Sequence, residues 1–254
     1  MKLGKYLKRK WENKMLAKIE MEIEGNGLDV NMSSLFHGYL MNSIDSAYAD
    51  YLHYNETHPY TSCIYKDMES GKIFWKITTF NKNAYEMLIK YFLENDVKNI
   101  YLEKKGIEVF VKSVSMKKTS FDELFFNDEK KSKIYFLTPT THKSNGVLQI
   151  FPNISTLLLG VINKINQHSD TIKLEDENVI NELLEKVYID EYYLRTRYFF
   201  LENIRVRGFI GNLKIKIKGK DEMLYQLLNF LLQVSEYTGL GVKTALGMGG
   251  IKIG

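Results

Sequence analysis

The sequence predicts an α+β fold made of two consecutive units, each with the element order β-α-β-β-α-β. Two observations carry this. Through the first half of the 254-residue chain the apolar period changes from two to about 3.6 and back, twice over. After a polar stretch near the middle, the same succession of periods loosely returns.

The first strand is Leu16 to Glu24, where apolar and charged residues alternate as on a half-buried strand. Asn31 to Ser34 supply polar caps for a helical segment. In it Phe36, Leu40, Ile44, Ala47 and Tyr51 recur at helical spacing and are expected to face the core. Thr61 to Lys66 and Lys72 to Phe80 read as strands joined by a turn at Ser70-Gly71. Asn83, with Glu86 three residues on, resembles a capping box opening a helix that buries Tyr85, Leu88, Ile89 and Phe92. Asn99 to Val114 returns to strand character, broken at Gly106.

The polar run Lys117 to Lys133 reads as the boundary between units. Beyond it, strands are expected at Ile134–Leu137 and Val147–Phe151, a helix from near Asn153, and another opened by Glu175–Glu177. Val187–Phe200 and Ile204–Lys218 are strand-like. Asp221 and Glu222 suit the positive end of a last helix, which buries Leu224, Leu227, Leu228, Leu231 and Val234 and stops before Gly239. Gly249 to Ile253 closes the chain as a strand. The predicted organisation is a basic N-terminal arm over residues 1–15, a ferredoxin-like domain over 16–125 and a second one over 126–254.

With 44% hydrophobic and 26% charged residues the chain has ample core material. It contains no apolar run of the roughly 18 residues a membrane span needs, and the N-terminus lacks a secretory apolar region, so a cytoplasmic protein with no membrane partner is expected. A single cysteine, Cys63, excludes an intrachain disulfide and any zinc site built on several thiolates. The densest acidic run, Glu175-Asp-Glu177, is better explained as a helix start than as a metal site. No metal and no cofactor are implied.

Positive charge is concentrated. Between Arg195 and Lys220 stand eight Lys or Arg residues against one acidic residue, Glu202. Lys214, Lys216 and Lys218 alternate with aliphatics, which places them on one face of a strand, and Arg205 and Arg207 alternate likewise. Arg195 and Arg197 sit among Tyr192, Tyr193, Tyr198 and Phe199, a mixture suited to phosphate contacts and base stacking. A solvated strand face is the plainer reading of such a run.

Gly239-Leu-Gly-Val-Lys-Thr-Ala-Leu-Gly-Met-Gly-Gly250 holds five glycines in twelve residues. Such backbone allows close ligand approach, and its exposed N–H groups can form an anion-binding concavity. A P-loop needs glycine directly before Lys243-Thr244, where Val242 stands, and a following helix for which no chain remains. A tight turn before the closing strand is the bland alternative.

Extended to Tyr237, the same stretch resembles the C-terminal glycine-rich signature of the RAMP superfamily, and especially of its CRISPR repeat-processing endoribonucleases. Phe136-Leu-Thr-Pro-Thr140 and Phe209-Ile-Gly-Asn-Leu213 resemble two further segments of that family. Tyr51-Leu-His53, followed by Pro59-Tyr-Thr-Ser62, resembles the segment that carries its active-site histidine.

The resemblance implies two ferredoxin-like, RRM-like domains. It implies metal-independent cleavage of repeat RNA (pre-crRNA) by 2′-hydroxyl attack, with His53 as the catalytic imidazole. Repeat RNA is the implied partner; subunits of a CRISPR effector complex and a second copy of the chain are further partners it allows. Gly239, Gly241, Lys243, Thr244, Gly247 and Gly249 would lie against RNA with the basic strands, Lys243 being the offered cation.

The chain departs from the family's supporting residues. Met41 stands where a tyrosine is often found, with Tyr39 close by, and His58 stands about where a lysine is. A non-catalytic RNA-binding or scaffold subunit is therefore the alternative. His37 precedes His53 by sixteen residues. On one continuous helix the two would point about 160° apart, which ranks His37 below His53. His142 and His168 are expected at the surface.

Overall fold

The computed structural model describes residues 16–201 and 204–254. The basic arm expected over residues 1–15 lies outside the described residues, as does Glu202. None of the described helices is long and apolar enough to cross a membrane.

The first unit begins with β1 (Leu16–Glu24), followed by helices α1 (Ser33–Asn42) and α2 (Ser46–Tyr54) and then the hairpin of β2 (Tyr60–Lys66) and β3 (Ile73–Thr79). Helix α3 runs from Lys82–Ala84 through a π-helical turn, Tyr85–Ile89, into Lys90–Glu94. Next come β4 (Asn99–Leu102), β5 (Ile107–Thr119) and the short α4 (Phe121–Phe125). The strands form one antiparallel sheet in the order β2-β3-β1-β5-β4. Since β3 separates β1 from β2, the order is the split βαβ of a ferredoxin-like unit.

The second unit repeats it. It comprises β6 (Lys133–Thr140), a small hairpin of β7 (His142–Ser144) and β8 (Val147–Gln149), helices α5 (Ile154–His168) and α6 (Glu177–Lys186), the long strands β9 (Val187–Leu201) and β10 (Ile204–Ile217), helix α7 (Glu222–Thr238) and β11 (Ile251–Ile253). Its four main strands pair as β11-β6-β10-β9. The chain is thus an α+β protein of two tandem ferredoxin-like folds.

Several local expectations shift. The first helical segment is broken between Asn42 and Asp45, where the Asp45 carboxylate caps α2 by accepting from Tyr48 N. The break resets the helical phase. Phe36 and Leu40 are buried as expected, but Ala47 and Tyr51 are exposed, and Tyr48, Ala49 and Leu52 turn inward instead. Asn81, not Asn83, caps α3 by accepting from Ala84 N. Strand β5 continues to Thr119, into the run expected to be a boundary, because its residues still pair with β1. The closing strand is limited to Ile251–Ile253, since Gly249 and Gly250 are held by contacts outside the ladder. Caps at Asn153, Asp176 and Asp221 agree with the sequence reading.

Each face of the first sheet is covered differently. Ile19, Met21, Ile23, Trp75 and Ile77 pack with α1–α3 in one core. Lys18, Lys76 and Thr78 occupy the alternate positions and meet the second unit. Lys76 Nζ donates to Ile251 O at 2.8 Å, Thr78 Oγ1 donates to Tyr237 O at 2.5 Å, and Lys18 pairs with Glu236 at 3.4 Å. The cores also exchange residues: Leu16 and Phe80 enter the second, and Ala245 enters the first. The two units are therefore fastened by buried polar bonds as well as apolar contact.

Candidate active site

The break between α1 and α2 decides the geometry of the histidines. It folds α2 back, so His37 and His53 do not point apart. Their rings lie 6.5 Å apart, edge to face, which overturns the continuous-helix premise that separated them. His53 is exposed at the end of α2, while His37 is partly buried. Tyr60, at the start of β2, lies parallel to His37, with its hydroxyl 3.2 Å from His37 Nδ1. Burial raises the Tyr60 hydroxyl well above the usual phenol range, so it stays protonated. Burial, then His58 and His53, hold His37 down at about 4.

His58, in the connector between α2 and β2, lies 5.7 Å from the Tyr60 ring, and its buried Nδ1 has no hydrogen-bond partner. The second unit reaches the same place through the C-terminal end of α5. His168 Nε2 is 2.9 Å from Thr57 Oγ1, and Lys164 Nζ donates to Thr238 O at 2.7 Å and to Thr244 Oγ1 at 3.1 Å. His168 was expected at the surface and instead joins this cluster, because α5 ends against the first unit. Tyr39 does not join: its ring packs 6.2 Å from Trp75 in the first core, and Tyr60 is the tyrosine that meets His37. Nothing in local spacing pointed to Tyr60, Lys164 or His168, since only tertiary packing brings them there. His142, also expected at the surface, is buried, with Nε2 accepting from Asn153 N at the start of α5. Among the described residues no group of three or more His, Cys, Asp or Glu side chains is arranged to hold a metal ion.

The glycine-rich segment is mostly buried rather than open. Its amides at Leu240, Val242, Leu246, Met248, Gly249 and Gly250 are bonded to protein acceptors, which removes the row of free N–H groups an anion cradle requires. The glycines serve close packing. A Cβ on Gly250 would lie 2.6 Å from Cys63 Sγ, and one on Gly247 would lie 2.6 Å from Ser33 Oγ, both in the first unit. Lys243 is exposed, with φ 59° in the left-handed region.

The basic residues of β9 and β10 divide between two faces. Arg205 and Arg207 share a face with Tyr198 and stack on its ring at 4.4 and 4.9 Å. By pairing, Arg195 and Arg197 lie on the other face, with Lys214. Lys216 pairs with Asp190 at 2.8 Å and Lys214 with Glu191 at 3.5 Å, so two of the three lysines face acidic partners. Lys218 remains exposed. Arg195 and Arg197 have no ion-pair partner among the described residues.

Fold and site together define a protein with two ferredoxin-like units and an imidazole cluster where they meet. Comparison with known proteins gives the family. Residues 134–251 match the family described as CRISPR-associated endoribonuclease Cas6. The CRISPR-associated endoribonuclease Cas6 of Streptococcus thermophilus is 32% identical over 223 residues, covering 86% of this chain and 89% of that protein. That of Mycobacterium tuberculosis (strain H37Rv) is 26% identical, covering 85% and 70%. Among solved structures, a Cas6 product complex superposes with a TM-score of 0.78 at 20% identity, covering 94% of this chain and 100% of the other. Thermus thermophilus Cas6 gives 0.73 at 18% identity, covering 94% and 98%. The chain belongs to the CRISPR-associated endoribonuclease Cas6 family.

Proposed function

We propose that this protein cuts CRISPR repeat RNA without a metal ion, by attack of a 2′-hydroxyl on the adjacent phosphate at the His37–His53 pair. The observation that supports this reading is the approach of those two imidazoles to 6.5 Å, one of them open to solvent. The reaction removes a proton from the 2′-hydroxyl, forms the O2′–P bond, breaks the P–O5′ bond and delivers a proton to O5′. The products are a 2′,3′-cyclic phosphate and a 5′-hydroxyl.

His53 is the proton-transfer group, since it is exposed at the surface where RNA would lie. His37 has a different role. Tyr60 keeps its proton and has His37 Nδ1 as its better acceptor, the alternative being the Met41 sulfur at 4.0 Å. A neutral His37 then carries its proton on Nε2, where it can donate to a phosphate oxygen as charge develops.

The test is single-turnover cleavage of cognate repeat RNA in excess EDTA, beside RNA affinity. His53→Ala should slow cleavage by on the order of 10²-fold or more while affinity stays within a few-fold. His37→Ala should also slow it, and His58→Ala less. Wild-type activity in His53→Ala overturns the assignment. A 3′-hydroxyl and 5′-phosphate product that requires Mg²⁺ overturns the chemistry.

A further inference from the structure

The proposed reaction leaves unused what the second unit brings to the cluster. Lys164 and His168 lie one helical turn apart on α5 and so project on the same side. Lys164 is gripped by the Thr238 carbonyl, where α7 ends, and by Thr244 of the glycine-rich segment. Opposite them stand Thr57 and His58 of the first unit, with the orphaned, buried His58 Nδ1. Lys164, His168 and His58 are each bases that gain positive charge on protonation.

The charges that depress His58 and His168 are all cationic. Burial, then Lys164 and His53, depress His58. Burial, then His58, Lys164 and Lys173, depress His168 to about 4, and burial alone brings Lys164 to about 7. Elsewhere on the protein exposed lysines find acidic partners, as Lys72 does in Glu22 and Lys216 in Asp190. A half-buried cluster of bases with an orphaned ring nitrogen and no ion-pair partner among the described residues is costly to charge, and an anion relieves that cost. In its ammonium form Lys164 has three donors, two of them taken by oxygens, which leaves the third for a ligand.

We propose that Lys164, with His58 and His168, forms a subsite for an RNA phosphate next to the scissile linkage, and that the glycine-rich segment acts by presenting Lys164 to it rather than by cradling RNA with its own amides. This rests on the reading of the protein as a repeat-RNA endoribonuclease.

The test is a cycle between protein and RNA charge. The RNA is cognate repeat carrying a 2′-deoxy sugar at the scissile nucleotide, so that it binds without being cut. A neutral methylphosphonate replaces each flanking linkage in turn. For wild-type protein, one such replacement should weaken binding by roughly tenfold, the scale of a charge-assisted contact. Lys164→Met should weaken binding of the unmodified strand by a similar factor and be insensitive to that same replacement, while Lys164→Arg should retain sensitivity. Additive losses at every linkage, or wild-type affinity in Lys164→Met, overturn the subsite. If thermal melting shows Lys164→Met unfolded, His168→Asn and His58→Gln run through the same cycle and decide the matter by the same criterion. Wild-type cleavage of the all-ribose strand is measured alongside. Additive losses with intact cleavage sink only the subsite, whereas no cleavage and no binding sink the functional reading beneath it.

Discussion

Replacing Gly247 with alanine tests whether the glycine-rich segment is a packing device. Gly247 has φ +112°, and an added Cβ would meet Ser33 Oγ at 2.6 Å and Phe199 Cζ at 2.7 Å, with Ser33 Cβ closer still. Ser33 cannot yield cheaply. It is buried, its hydroxyl accepts from Ile64 N at 3.2 Å, and it donates to Val30 O at 3.3 Å. Alanine at positive φ costs about 1–2 kcal/mol, and forcing a methyl into a packed site adds about 1–3 kcal/mol. The sum, about 2–5 kcal/mol, corresponds to a fall in Tm of roughly 4–20 °C for a protein of this size. Gly146→Ala is the matched control. Gly146 sits at φ +78° in the turn between β7 and β8, with nothing within 4 Å of the added Cβ, so only the conformational cost applies, about 1–2 kcal/mol. The assay is thermal melting of both variants with RNA affinity measured in parallel. If Gly247→Ala melts no lower than Gly146→Ala while losing RNA affinity, the segment faces RNA and the packing argument is wrong.

Two further outcomes are expected. Burial holds His37 at about 4 against an ordinary 6.5, so between those pH values the unfolded chain carries a proton the folded one lacks. Stability therefore falls as pH drops from 6.5 towards 4, by up to about 3 kcal/mol from His37, and urea midpoints should fall less steeply in His37→Gln; an unchanged pH dependence would refute it. Joint replacement of Arg195 and Arg197 by glutamine should lower the slope of log affinity against log salt by roughly 2, whereas Lys214→Gln with Lys216→Gln should change it less, because Glu191 and Asp190 already face those lysines. Anisotropy titrations read both slopes, and equal changes would remove the distinction.

Most elements were legible because their signals are local. The alternation of β1, the helix starts near Asn153, Asp176 and Asp221, and the apolar face of α7 each follow from side chains within a few residues of one another. The glycine-rich stretch was conspicuous, but its purpose was not. Free amides and close packing require the same residue, and only the positions of Cys63, Ser33 and Thr141 against Gly250, Gly247 and Gly241 separate the two.

The sequence by itself determined the repeated β-α-β-β-α-β order, the family likeness carried by its short motifs, and His53 and His37 as candidates for proton transfer. The tertiary structure decided which groups meet. A break of a few residues between Asn42 and Asp45 turns two histidines from opposite directions into a facing pair. Docking of α5 and the glycine-rich segment onto the first unit adds Lys164 and His168 from more than a hundred residues away. Periodicity reports how each segment divides between core and solvent. It carries no information on where a helix bends back or which end of it reaches a neighbouring domain, and the composition of this site depends on both.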